Sequence, residues 1–219
     1  MLSRRGLVPY IATWSEEQPI RAVIIANPRQ PGIAFVNENP QDRDTFGVLW
    51  GTNSIGWGKG SPQLGHVHPQ RQRRAMNNLL CQVCAGPADE RFEKDKKNKD
   101  GVGVLWLLDG DVPEPEGEIT SHPPVCVPCA RLSVRHCPQL RKGYTAVRVQ
   151  APTIDGVYGR LYHPAHPSPV AGKKGYVHYT NPDVRWVLAA QLFVTLHNCT
   201  VVNLDELAHN ADMHVPSLT

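Results

Sequence analysis

Two Cys-x-x-Cys pairs constrain this chain more than any other feature: Cys81 and Cys84 in LLCQVCAGPAD, Cys126 and Cys129 in HPPVCVPCARLS. A structural zinc ion takes four soft ligands in a tetrahedron, and one such turn offers two thiolates at a suitable separation. Residues 85–125 lie between the pairs. Closing a loop of that length costs little more than closing a short one, because the entropy grows with the logarithm of length. Structural zinc supplies on the order of 10–16 kcal/mol of apparent binding energy against that cost. The spacing therefore predicts one structural Zn2+ held by Cys81, Cys84, Cys126 and Cys129. A thiolate-ligated iron or iron–sulfur centre uses the same ligand type. Cys137 lies more than two helical turns past Cys129, and Cys199 reads as a buried small hydrophobe after a helix. His122 and His136 are spare ligands.

Six cysteines also admit a disulfide framework, but two paired spacings speak for metal instead. The start, MLSRRGLVPYIATW, has arginines without a continuous apolar segment after them, so the expectation is a cytoplasmic protein with reduced thiols. The longest apolar run, WVLAAQLFVTL, is about half of what crosses a bilayer, so no membrane partner is expected.

The 18 glycines and 20 prolines argue for many turns and against a helical bundle. RAVIIANP, GIAFVNENP and GVLW, all before residue 51, read as short strands. The glycine-rich GTNSIGWGKGSPQLG reads as loop, and HPQRQRRAMNNLL as a short helix delivering the chain to Cys81. VGVLWLLDGD is a strand, and Cys129 to Cys137 a helix stopped by Pro138. GYTAVRVQAP and GVYGRLYHP are strands around a Thr-Ile-Asp-Gly turn, followed by a proline-rich loop over 163–175. Asn181-Pro182-Asp183 then opens the clearest helix, VRWVLAAQLFVTLHN, apolar around most of its surface. TVVNL is a last strand and DELAHNADMH a terminal helix. The predicted fold is α+β: small antiparallel sheets, a treble-clef-like zinc module and a C-terminal buried helix. Its parts are a β-rich segment 1–65, a zinc module 66–142 with an acidic loop 89–118, and a β/α segment 143–219, unless all three form one domain.

The ending VCVPCARLS is similar to the zinc-bearing branch of the HNH endonucleases, in which two such pairs frame a ββα-metal core. That family places a metal-binding or catalytic histidine directly after the second pair, where this chain has Ala130. Ser121-His122 stands near the pair with prolines at 123 and 124, and no asparagine is close by. The resemblance thus covers the framework and not the catalytic residues, and no catalytic residue is assigned. At whole-chain scale the patterns GVLW, RQRRAMNNLLCQVC and HPPVCVPCA resemble a group of actinobacterial proteins, which implies no particular activity.

A net charge of +3 is too small to imply nucleic-acid binding, but its distribution is informative. Residues 54–88 and 121–154 contain no Asp or Glu, while 89–118 carry ten of the twenty carboxylates. The basic stretches flank both cysteine pairs and supply Arg71, Arg73, Arg74, Arg131, Arg135, Arg141 and Lys142, a set suited to phosphates. The leading expectation is a non-catalytic zinc-stabilised protein that contacts nucleic acid through these residues. A protein–protein adaptor and a diverged metal-dependent nuclease are the alternatives. His66, His68, His163 and His166 are candidates for a second metal site.

Overall fold

The computed structural model describes residues 2–3, 6–88 and 103–207. The chain opens with β1 (Leu2–Ser3), β2 (Gly6–Leu7) and β3 (Ala12–Trp14), then β4 (Ile24–Ala26) and β5 (Ile33–Phe35). β6 (Leu49–Trp50) and β7 (Pro62–Val67) precede helix α1 (Pro69–Asn77). β8 (Val104–Asp109) and β9 (Ile119–Thr120) lead to helix α2 (Val127–His136). β10 (Tyr144–Val149), β11 (Thr153–His163), β12 (Val170–His178), β13 (Val187–Thr195) and β14 (Cys199–Val201) follow. The α+β class is as the sequence predicts. Most of the acidic loop, residues 89–102, and the terminal helix beyond residue 207 lie outside the described residues.

Two compact units share the chain. The first gathers Met1–Tyr10, Ala75–Thr153 and Thr195–Thr219. Its sheet runs β14-β10-β8, antiparallel throughout. Val104, Leu105 and Trp106 on β8, Val147 and Val149 on β10, and Val125 before α2 are fully buried. Burying each such side chain is worth about 1.5–3 kcal/mol. α2 turns Val127, Cys129, Ala130 and Ser133 inward and leaves Arg135 and His136 outside.

The second unit gathers Ile11–Arg74 and Ile154–Val194. Here β12, β11, β13 and β6 lie side by side in that order, with β13 and β6 parallel. β4 pairs with β5 and β3 with β7, both antiparallel. Gln72 of α1, fully buried, exchanges two hydrogen bonds with the backbone of Leu192 on β13: its Nε2 donates to the carbonyl (2.8 Å) and its Oε1 accepts from the N–H (2.9 Å). The side-chain amide takes the place of a neighbouring strand there.

Three expectations are corrected. The segment expected to form a C-terminal buried helix is a five-residue 3-10 turn, Pro182–Trp186, followed by strand β13. Asn181 does cap it, accepting from the Asp183 N–H (2.9 Å), but the apolar run after it is a strand with neighbours on both sides. A strand covered on both faces is as continuously apolar as a buried helix. The proline-rich loop is confined to residues 164–169, because β12 begins at Val170 and pairs with β11 from His163 back to Gly156. Thr153-Ile154-Asp155-Gly156 lies within β11 and is no turn. The two GVLW copies sit in different surroundings, one reaching into β6 parallel to β13, the other into β8 antiparallel to β10.

Candidate metal centre

The first cysteine pair sits in a narrow hairpin. Ala88 donates to the Leu79 carbonyl (3.0 Å) and Cys81 to the Gly86 carbonyl (2.7 Å), so residues 79–81 and 86–88 run antiparallel around the turn. Inside it, the Ala85 N–H reaches the Cys81 carbonyl (2.9 Å) and the Val83 N–H points at Cys81 Sγ (3.4 Å). Closing so tight a turn places Ala85 in the left-handed region, φ 61°. That conformation favours glycine and costs other residues about 1–2 kcal/mol.

The second pair lies at a helix start. Cys126 is the N-cap of α2 in extended conformation (φ −76°, ψ 153°), and Cys129 occupies the first turn, where unpaired N–H groups favour thiolates. Backbone hydrogen bonds bring the pairs together. Gln82 in the knuckle donates to the Pro124 carbonyl (2.8 Å), and Val125 donates to Leu105 on β8 (2.9 Å). Trp106 Nε1 donates to the His122 carbonyl (2.9 Å), which fixes the return of the chain along β8. A knuckle and a helix N-terminus, joined through a strand, are the ligand-bearing parts expected of a treble-clef-like module.

The four sulfurs all lie within 4.8 Å of one another, and Cys84 and Cys126 are 3.9 Å apart. A tetrahedron with metal–sulfur bonds of about 2.3 Å has edges of about 3.8 Å. All six cysteines are free thiols, and 3.9 Å is nearly twice a disulfide bond length of about 2.05 Å. The site is asymmetric: Cys81 and Cys129 are buried, Cys126 half-buried and Cys84 exposed.

Without a cation Cys81, Cys126 and Cys129 cannot all ionise together. Hydrogen bonds from Cys126 and then Cys129 draw the Cys81 thiol down to about 2. At Cys126 a hydrogen bond from Cys129 lowers the pKa, but the bond to Cys81, burial and the Cys81 charge outweigh it and push the thiol up to about 12. Cys129 is driven far above the ordinary thiol range by its bonds to Cys126 and Cys81, by burial and by their charges. The Cys81 thiolate thus suppresses ionisation of Cys126 and Cys129, and a divalent cation at the centre removes that conflict. The donor set and its spacing fit a metal ion bound by four thiolates.

Other predicted residues are placed as follows. Cys137 is the C-cap of α2 and belongs to no cluster, as its spacing implies. Cys199 starts β14 and is only half-buried, so it is not the core hydrophobe expected; its N–H donates to Glu116 Oε2 (3.0 Å). His66 is exposed and His68 is buried beside Glu17, with Nε2 3.8 Å from Oε1. Among the described residues no second group of three metal-ligating side chains converges.

The seven basic residues divide between the units, with Arg71, Arg73 and Arg74 in one and Arg131, Arg135, Arg141 and Lys142 in the other. Arg71 is committed internally. Its two terminal nitrogens grip Glu17 (2.6 and 2.7 Å), one also donates to the Ala12 carbonyl (2.6 Å), and the guanidinium lies 4.4 Å from the Trp57 ring centre. Arg73 stacks on Trp50 at 4.8 Å, while Arg74 is exposed. Arg135, Arg141 and Lys142 are exposed and Arg131 is half-exposed.

Sequence reasoning missed the residues that shape the knuckle, namely Gln82, Val83 and Ala85. Gly86, two places after the second cysteine, was the signal available for a tight turn. Comparison with protein families, with curated proteins and with solved structures finds no match to this chain, so neither the HNH nor the actinobacterial resemblance gains support. Among the described residues no helix is long and apolar enough to cross a membrane.

Proposed function

We propose that the four cysteines hold one structural zinc ion and that the chain is a non-catalytic binding protein contacting nucleic acid beside that centre. The observation that carries the first part is the convergence of all four sulfurs at near-tetrahedral spacing. Four protein ligands leave no open position for water or substrate, so the ion would act by joining the knuckle to α2. Ala130, standing where an HNH-type framework puts its histidine, is fully buried, so no hydrolytic step is assigned. Reduced thiols of this kind fit the cytoplasm.

The second part rests on Arg131, Arg135, Arg141 and Lys142. They follow the second cysteine pair in a stretch without carboxylates, and none forms an ion pair with a described residue. Four such cations match a run of phosphates. Metal analysis of the purified protein should give one zinc per chain. Binding to DNA and RNA oligonucleotides should weaken on the order of a hundredfold between about 50 and 200 mM salt if four phosphates are contacted. Absence of binding at low salt would remove the nucleic-acid reading and leave the metal reading standing.

A further inference from the structure

The second unit carries a surface of different chemistry. β11 and β12 pair antiparallel, with Tyr158 opposite Tyr176 and Arg160 opposite Lys174. Directly opposed residues share a face of a sheet, and side chains two apart along a strand share it as well. Tyr158, Tyr176, Arg160 and Lys174 therefore project from one face, while Val157, fully buried, turns to the other. The two tyrosine rings are 5.0 Å apart, and Tyr176 is 51% exposed. Beneath them the buried Phe193 holds Tyr176 edge-on at 5.4 Å and His178 at 5.0 Å. Gly156 makes room for that ring, since a Cβ at 156 would stand 2.6 Å from Phe193 Cε1. Tyr176 is thus held edge-on by Phe193 while 51% exposed, and Tyr158 beside it is half-buried.

The cations beside it are not neutralised. Residues 156–182 contain no Asp or Glu, and among the described residues no carboxylate pairs with Arg160 or Lys174. Arg160 is steadied by one bond from Nη1 to the Gly172 carbonyl (2.9 Å), which leaves its other N–H groups for a ligand. Like charges directly opposite each other destabilise a ladder, and a bound anion reverses the sign of that contribution. The aromatic and cationic pairs are successive on the face, about 7 Å apart along the strands. A planar ring that stacks, with an anion next to it, is the repeating chemistry of a single-stranded polynucleotide.

We infer that this face of the β11–β12 ribbon binds single-stranded nucleic acid, with bases stacked on Tyr176 and Tyr158 and phosphates held by Arg160 and Lys174. The site is independent of the metal centre and of the α2 cations. An acidic peptide would satisfy the cations but has no use for the exposed Tyr176 ring.

The test uses the full chain and fluorescently labelled oligouridylate and oligodeoxythymidylate of about 12 nucleotides, with binding followed by anisotropy. Lys173 and Lys174 are adjacent and exposed, but only Lys174 stands opposite Arg160, Lys173 falling at the register shift. Lys173→Glu and Lys174→Glu therefore change net charge equally and differ in their place beside Arg160. Lys174→Glu should weaken binding about tenfold, and Lys173→Glu by much less. Tyr176→Leu, which keeps cover over Phe193, should cost about tenfold for the oligonucleotides and nothing for inorganic polyphosphate. A double Arg131→Glu, Arg135→Glu variant should keep the dependence on Tyr176. Equal effects of the two lysine variants overturn the inference. So does tight binding of polyglutamate with no effect of Tyr176→Leu, or loss of binding in the α2 variant alone.

Discussion

At the scale of single residues, the cysteine cluster was legible and its setting was not. Cysteine spacing is a local signal, and the turn that realises it is built from neighbours in sequence. Arg71 also stood out as a basic residue, but its partner Glu17 is 54 positions away, and nothing local foretold that the cation would be spent on it. Ala85 shows what the turn costs. Replacing it with glycine removes a left-handed strain of about 1 kcal/mol, so Ala85→Gly should raise the melting temperature by a few degrees. A lower melting temperature would mean the knuckle relaxes to another conformation. The Glu17–His68–Arg71 group gives a pH prediction. Burial, and then the Arg71 charge, depress His68 to about 4, against a weaker upward pull from Glu17. Burial works to raise Glu17, but bonds from Arg71 and the Trp14 N–H, with nearby charges, hold it below the usual carboxylate range. Both groups have folded pKa values below their unfolded ones, so both favour the fold at neutral pH. The His68 contribution is complete above about 6.5 and is lost as pH falls toward 4, on the order of 3 kcal/mol in all. Glu17 adds to the loss below that. Urea unfolding across pH 7 to 4 should show this decline, and His68→Gln should flatten it between pH 6.5 and 4. A wild-type profile already flat in that window would contradict the assignment.

At the scale of elements, short strands with turn residues on both sides were readable, and β4, β5, β8 and β10 are where their alternation or apolar runs suggested. Two of the three failures share a cause. β13 reads as a helix because Leu192, Phe193 and Val194 are buried in succession, so both faces of the strand are covered there, and the capping residues before it are real but serve a 3-10 turn. β12 reads as loop because VAGKKGYVH has little apolar content; its pairing comes from β11, whose last turn of sequence before it is dominated by prolines. Tertiary pairing decided both, and neither pattern of residues contains it. The glycines of this ribbon provide a test. Gly159 and Gly175 face each other across the ladder, yet their surroundings differ. A Cβ at 159 would collide with the Leu188 carbonyl oxygen and stand 2.8 Å from Ala189 Cα, all rigid backbone, whereas one at 175 meets nothing within 4 Å. Gly159→Ala should cost about 2–3 kcal/mol, and Gly175→Ala should be neutral or slightly stabilising. Thermal melts of the two variants separate these outcomes, and equal effects would mean that β11 does not pack on β13 as described.

At the scale of the whole molecule, the units interleave along the chain, with α1 carrying it from one to the other at Arg74–Ala75. Such an arrangement leaves no linker to read, since neither composition nor proline marks that crossing. All four cysteines belong to one unit, and so does every backbone bond that brings the pairs together. An ion held by the four cysteines, as proposed, should therefore stabilise that unit first. Hydrogen exchange before and after chelation provides the measurement, because amide protection reports the opening of each segment separately. Chelation should strip protection from the knuckle, α2 and β8–β10, which depend on the junction at Gln82–Pro124 and Val125–Leu105. β11, β12 and β13 should keep theirs, with Gln72 still pairing at Leu192. Uniform loss across both units would show that they unfold together and that the ion stabilises the whole chain. No loss anywhere would show that backbone bonds alone hold the two pairs in place, and the zinc assignment would then have no structural role to rest on.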